Sequence, residues 1–141
     1  YDLTSADTWY PVACIRLKSE REDAIVLPKD IHIGASSSSG SVIKYKVVVG
    51  ANVTGGTWVS AGTDSSVQYN LNAASYTGGT DYVSGFVTVT NQASTPVALG
   101  DGVFKYQLER NSFNTTNTVF MIAVQTSKAG DDVFAAIEGA F

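Results

Sequence analysis

The chain has a single histidine, His32, and imidazole is the side chain best suited to proton transfer and metal binding near neutral pH. It stands between Ile31 and Ile33, so on a strand it points away from the face those two share. One histidine and one cysteine leave a zinc site short of ligands. Serine and aspartate are plentiful enough for a Ser-His-Asp arrangement, yet no GxSxG elbow leads into a helix, and a hydrogen-bonded surface histidine is the expectation for His32. Paired carboxylates are the next chemistry to test, since glycan-cleaving enzymes hold two of them about 5 to 10 Å apart. Asp131 and Asp132 are adjacent, which on a strand sends them to opposite faces, and a solvated turn is the plainer reading. Gly100, Asp101 and Gly102 lack the spaced oxygen ligands of a calcium loop, and no glycine-rich turn passes from a strand into a helix to cradle phosphate. Cys14 has no partner for an internal disulfide and reads as a small semi-buried side chain. The expectation is therefore no catalytic residue, no metal ligand and no cofactor.

Binding leaves a different signature. Tyrosine and tryptophan stack on sugars and also anchor protein interfaces. Tyr76, set among Ser, Thr and Gly, is the candidate ligand contact, while the aromatics as a set read as core or interface. Sequons begin at Asn52 and Asn114, but motifs this short arise by chance and carry no weight here.

The elements that must position these residues are strands. From Val12 to Ser19, Ala13, Ile15 and Leu17 alternate with Cys14, Arg16 and Lys18, so one face is expected buried and the other turned to solvent or a partner. Glu20 to Asp23 reads as a charged turn; the run Ala24 to Leu27 is stopped by Pro28, and Ile31 and Ile33 resume the apolar face. The stretch GASSSSGS, residues 34–41, offers no core anchor and predicts a flexible loop. Tyr45, Val47 and Val49 alternate with Lys44, Lys46 and Val48 in a strand ended by Gly50. Asn52 to Gly56 predicts a turn, with Thr57 to Ala61 pairing back as a hairpin and Trp58 on the core. Val67, Tyr69 and Leu71 mark another strand, a Gly78-Gly79 turn follows, and Asp81 to Thr90 is a strand in which Gly85 suggests a bulge. Phe104, Tyr106 and Leu108 alternate with polar residues; Val119 to Val124 is apolar on both faces, as a central strand or one covered by another subunit would be; and the two-faced run Val133 to Ile137 reads as a final strand. Eight to ten strands at this spacing predict an all-β fold, an antiparallel β-sandwich of jelly-roll type, in one domain over residues 9–141.

Composition narrows the partners. Charged residues are only 16% of 141, so the surface must be largely neutral polar, which suits subunits that touch neighbours. A net charge of −4 gives no reason to bind a phosphate backbone, and no apolar run is long enough to span a bilayer as a helix. Neither nucleic acid nor membrane is expected as a partner.

Four stretches together carry a resemblance: VACIRLKSEREDAIVLP at residues 12–28, KYKVVVGANVTGGTWVSAGTDSSVQYNL at 44–71, VTNQASTPVALGDGVFKYQLERN at 89–111 and TVFMIAVQTS at 118–127. They resemble a family of β-rich virion structural proteins of tailed bacteriophages, frequent in cyanophages, over most of the chain from about Trp9 onward. The resemblance implies a location on the surface of a phage particle, other virion proteins as partners, and a homotrimeric fibre, knob or capsid decoration module without catalytic activity. The alternative it leaves is a receptor- or glycan-binding module at a fibre tip, with host surface glycan as ligand. Residues 1–8 fall outside the pattern and are expected to be an attachment or linker segment.

Overall fold

The computed structural model describes residues 1–18, 28–36, 42–88, 95–98 and 118–139. Among these residues there is no helix, and twelve strands run in chain order: β1 (Asp2–Leu3), β2 (Tyr10–Leu17), β3 (Pro28–Ser36), β4 (Val42–Val49), β5 (Asn52–Thr54), β6 (Val59–Ser60), β7 (Val67–Asn70), β8 (Ser75–Thr77), β9 (Thr80–Thr88), β10 (Thr95–Ala98), β11 (Phe120–Thr126) and β12 (Asp131–Gly139). All the strand pairs are antiparallel. They form a four-stranded sheet ordered β1-β12-β3-β10, a six-stranded sheet ordered β6-β7-β2-β11-β4-β9, and the small pair β5-β8. From β2 to β4, and again from β9 to β12, the chain changes sheet at every step, so it wraps around a shared core in the jelly-roll manner.

The core follows from alternation. Ala13, Ile15 and Leu17 of β2, Tyr45, Val47 and Val49 of β4, and Phe120, Ile122 and Val124 of β11 point inward from the larger sheet, where they meet Leu3, Ile31, Ile33 and Val133 of the smaller one. Tyr69, Tyr82, Ala135 and Ile137 close the margins. The apolar alternation in these strands thus builds one sandwich core, and no disulfide contributes.

Several local expectations are corrected. The opening residues, expected to lie outside the sandwich, contribute a strand: Asp2 and Leu3 pair with Asp132 and Asp131, and Leu3 is fully buried. Within the predicted loop at 34–41, Gly34, Ala35 and Ser36 instead pair with β12; residues 37–41 lie outside the described residues, as do the predicted strand at 104–108 and Gly100 to Gly102. Asn52 to Gly56 does not turn into a hairpin with Thr57 to Ala61. Asn52–Thr54 pairs instead with Ser75–Thr77, and Val59–Ser60 pairs with β7. The bulge falls at Tyr82, where the register with β4 slips between Val47 and Val48, while Gly85 sits in regular pairing opposite Tyr45. Gly85 is glycine for another reason: a Cβ there would lie 2.6 Å from the Tyr45 hydroxyl.

The turn after β5 is held by two side-chain amides. Asn70 is fully buried; its Nδ2 donates to the Gly55 carbonyl at 3.1 Å and its Oδ1 accepts from the Asn72 amide at 3.1 Å. Asn72 Oδ1 in turn accepts from the Thr57 amide at 3.0 Å. Gly56 sits against both amides with φ +71°, where an added Cβ would come within 2.5 Å of Asn70 Oδ1 and 2.7 Å of the Asn72 carbonyl carbon. Gly78 has the same φ with open space around it. Gly78→Ala should cost about 1–2 kcal/mol for the left-handed backbone alone. Gly56→Ala adds an overpacking cost of about 1–3 kcal/mol to that same dihedral cost, and urea unfolding of the two variants measures the difference.

Candidate binding surface

The larger sheet has an outer face, and its central strands are apolar there too. Cys14, Met121 and Val48 form a row straight across β2, β11 and β4, with Asn70 continuing it on β7. Residues 51–58 and 71–76 fold over this row: Ala51 and Ala73 are buried against Cys14, Val48, Val119, Met121 and Ala123, and Val53, Trp58, Tyr76 and Trp9 pack around them. The β5-β8 pair is the lid on this second, smaller core. The outward face of β2, expected to meet solvent or a partner, is therefore covered by the chain itself. Lys18, just past β2, is buried beside the connection between β6 and β7, where its Nζ donates to the Gly62 carbonyl at 2.8 Å.

At the border between the covered and open parts of this face stand the side chains most capable of binding. Lys46 lies with its Nζ 4.5 Å from the centre of the Trp9 ring and 5.9 Å from that of Tyr76, and it pairs with Asp81 at 3.3 Å. Arg16 sits 4.0 Å over the Trp58 ring, and its Nε donates to Gln68 Oε1 at 3.1 Å. Burial lowers the Arg16 pKa from its ordinary value, and the ring face and the amide take the place of water around the guanidinium. The Lys46–Asp81 pair is open to water at the carboxylate, 61% exposed, and mostly covered at the lysine, 16% exposed, so solvent screens it chiefly from the Asp81 side. Such an arrangement can stack, hydrogen-bond and hold charge. It contains no nucleophile beside a base.

Tyr76, the candidate ligand contact, is not in a turn despite its Ser, Thr and Gly neighbours. It lies instead in β8, opposite Val53, half-buried on the second core with part of its ring at the surface. Trp9, Lys46 and Asp81 come from three separate segments, and only the cross-strand register brings them to Tyr76, so no sequence spacing announces the group. His32 lies on the outer side of the smaller sheet, opposite Ala136 and Pro96, as alternation with the buried Ile31 and Ile33 requires. Asp131 and Asp132 do take opposite faces, but they form no solvated turn: Asp131 is buried and accepts a 2.5 Å hydrogen bond from the Thr126 hydroxyl, while Asp132 is exposed. Among the described residues no three of His, Cys, Asp and Glu come together as metal ligands would.

Neither family models, curated proteins nor solved structures give a match to this chain.

Cys14 lies at the centre of the second core, and burial pushes its thiol pKa up to about 12 from 9.0. The folded chain thus holds this proton more tightly than the unfolded one, so the stabilising contribution is complete below about pH 9 and is lost as pH rises from there toward 12. Urea unfolding on either side of pH 9 should show a steeper alkaline loss of stability in the wild type than in Cys14→Ala. The steepness is bounded by about 1.4 kcal/mol per pH unit. The native thiol should also react with a thiol reagent only at the rate of unfolding.

Proposed function

We propose that this chain is a non-catalytic structural module on the surface of a tailed-phage particle, a fibre, knob or decoration domain that works by binding further copies of itself and other virion proteins. The observation that carries the self-association is the exposure of two large rings on the outer sides of different sheets: Phe86 of β9 is 70% exposed and Phe134 of β12 is 64% exposed. Burying a phenylalanine side chain is worth about 1.5–3 kcal/mol, and aromatic side chains are enriched where protein surfaces meet. The low share of charged residues fits the same role, because close subunits then repel each other little. The particle itself is proposed from the resemblance of residues 12–28, 44–71, 89–111 and 118–127.

The resemblance implies a trimer, in which symmetry would bring the two-faced apolar strands of three copies together. The outer face of β11 is filled by the chain's own residues 51–58 and 71–76, so that strand supplies no surface for such a contact. The exposed rings of β9 and β12 take its place as the contacts. Light scattering from micromolar concentration upward should give a mass above that of one chain, and replacing both rings, Phe86→Ser with Phe134→Ser, should return it to monomer. A wild-type monomer throughout that range would contradict the proposal.

A second reading rests on Trp9 and Tyr76, which flank Lys46 with their rings half-exposed. Aromatic faces beside a lysine and a carboxylate are suited to the apolar face and hydroxyls of a sugar. On this reading the module also grips a host surface glycan. Glycan-array binding that disappears in Tyr76→Ala and persists in Phe86→Ser is the expected result, and binding unchanged by Tyr76→Ala excludes this surface.

A further inference from the structure

The two exposed rings have unlike surroundings. Beside Phe86, the open part of the larger sheet's outer face carries Val42, 54% exposed, together with Lys44 and Lys46 from β4; Lys44 is the direct cross-strand partner of Phe86. Lys46 is paired with Asp81, whereas Lys44 is exposed and has no ion-pair partner among the described residues. Beside Phe134, the outer face of the smaller sheet carries Ala136 and two exposed carboxylates, Asp2 and Asp132, placed directly opposite each other across β1 and β12. Neither makes an ion pair with a described residue. Like charges set directly opposite on neighbouring strands oppose the pairing of those strands, so a cation brought to this corner stabilises it.

We infer that these are the two halves of one contact: the Phe86–Lys44 face of one copy packs on the Phe134–Asp132 face of the next. This rests on the self-assembling reading above and identifies its partner as a second copy of this chain, joined head to tail. Each half supplies one exposed ring and small or branched apolar neighbours, Val42 on one side and Ala136 on the other. The charges are complementary, with Lys44 meeting Asp2 and Asp132. In a chain of net charge −4, which repels its own copies at a distance, the face around Lys44 is where an acidic face of another copy meets attraction. The two faces differ, so the contact is heterologous; they lie on the outer sides of opposite sheets and point away from each other, so the contact repeats along a line and does not close on itself.

Two double variants test this, one removing each face: Lys44→Glu with Phe86→Ser, and Asp132→Lys with Phe134→Ser. All four side chains are exposed, and circular dichroism confirms that the variants fold. The wild-type mass should rise with concentration, and each variant alone should be monomeric. Mixed in equal amounts, the two variants should give a dimer, because the first keeps only the acidic half and the second only the basic half. A wild type fixed at one copy would overturn both this contact and the assembly reading beneath it. A wild type fixed at three copies, variants that keep the wild-type mass, or a mixture that stays monomeric would overturn the contact and leave the assembly reading standing.

Discussion

The constraint on which the rest of this structure depends is that β11 has no polar side. Phe120, Ile122 and Val124 face one way, and Met121 and Ala123 face the other, all five fully or almost fully out of water. A sheet in a two-layer sandwich normally buries one face and wets the other. Here the middle of the sheet must be dry on both sides, and the chain meets the requirement with two different covers. The four-stranded sheet covers the inner face with isoleucine, valine and leucine. The outer face is covered by residues 51–58 and 71–76, whose contacts at the centre are alanines, Ala51 and Ala73, against a cysteine and a methionine. Small residues let the lid lie close; large ones at those positions would lift it from the sheet.

That second cover explains features which look unrelated in sequence. Asn70 and Asn72 are amides at the edge of the lid, and their hydrogen bonds to Gly55, Thr57 and each other hold the turn that starts it. Gly56 is glycine because those amides leave no room for a Cβ. Trp9, Trp58 and Tyr76 ring the lid's margin, each with an apolar side on the small core and an edge toward solvent, and Arg16 and Lys46 rest on their faces. The surface with the greatest capacity to bind is thus a by-product of sealing a sheet whose outer face is apolar.

The sandwich itself was legible in the sequence, because alternation reports directly which residues share a face. Ala13, Ile15 and Leu17, then Ile31 and Ile33, then Tyr45, Val47 and Val49, all lie on the inner side as their spacing requires. Alternation does not say what covers a face. The apolar outer side of Val119 to Val124 was legible, yet a neighbouring subunit and a lid from the same chain leave the same pattern. The lid is built from two strands of three residues each, too short for period two to show. The candidate surface was illegible for a related reason: Trp9, Lys46 and the stretch from Tyr76 to Asp81 are far apart in sequence, and only the β4-β9 register, shifted by the bulge at Tyr82, sets Asp81 beside Lys46.

With the centre of the larger sheet sealed from within, the large apolar side chains exposed among the described residues, Val59 and Leu71 included, stand away from that centre. Phe86 and Val42 stand on the outer side of β9 and β4, beyond the reach of the lid, and Phe134 stands on the outer side of β12. A monomer gains nothing from holding two phenylalanine rings in water on opposite sides of a sandwich. Had they faced each other across one groove, a single ligand would account for both. Placed back to back, they cannot share one ligand, and the opposite charges beside them are the ground on which a contact between copies is proposed. The internal lid and the proposed contact would answer the same demand, since apolar surface gains from being removed from water whether the cover comes from the same chain or from another.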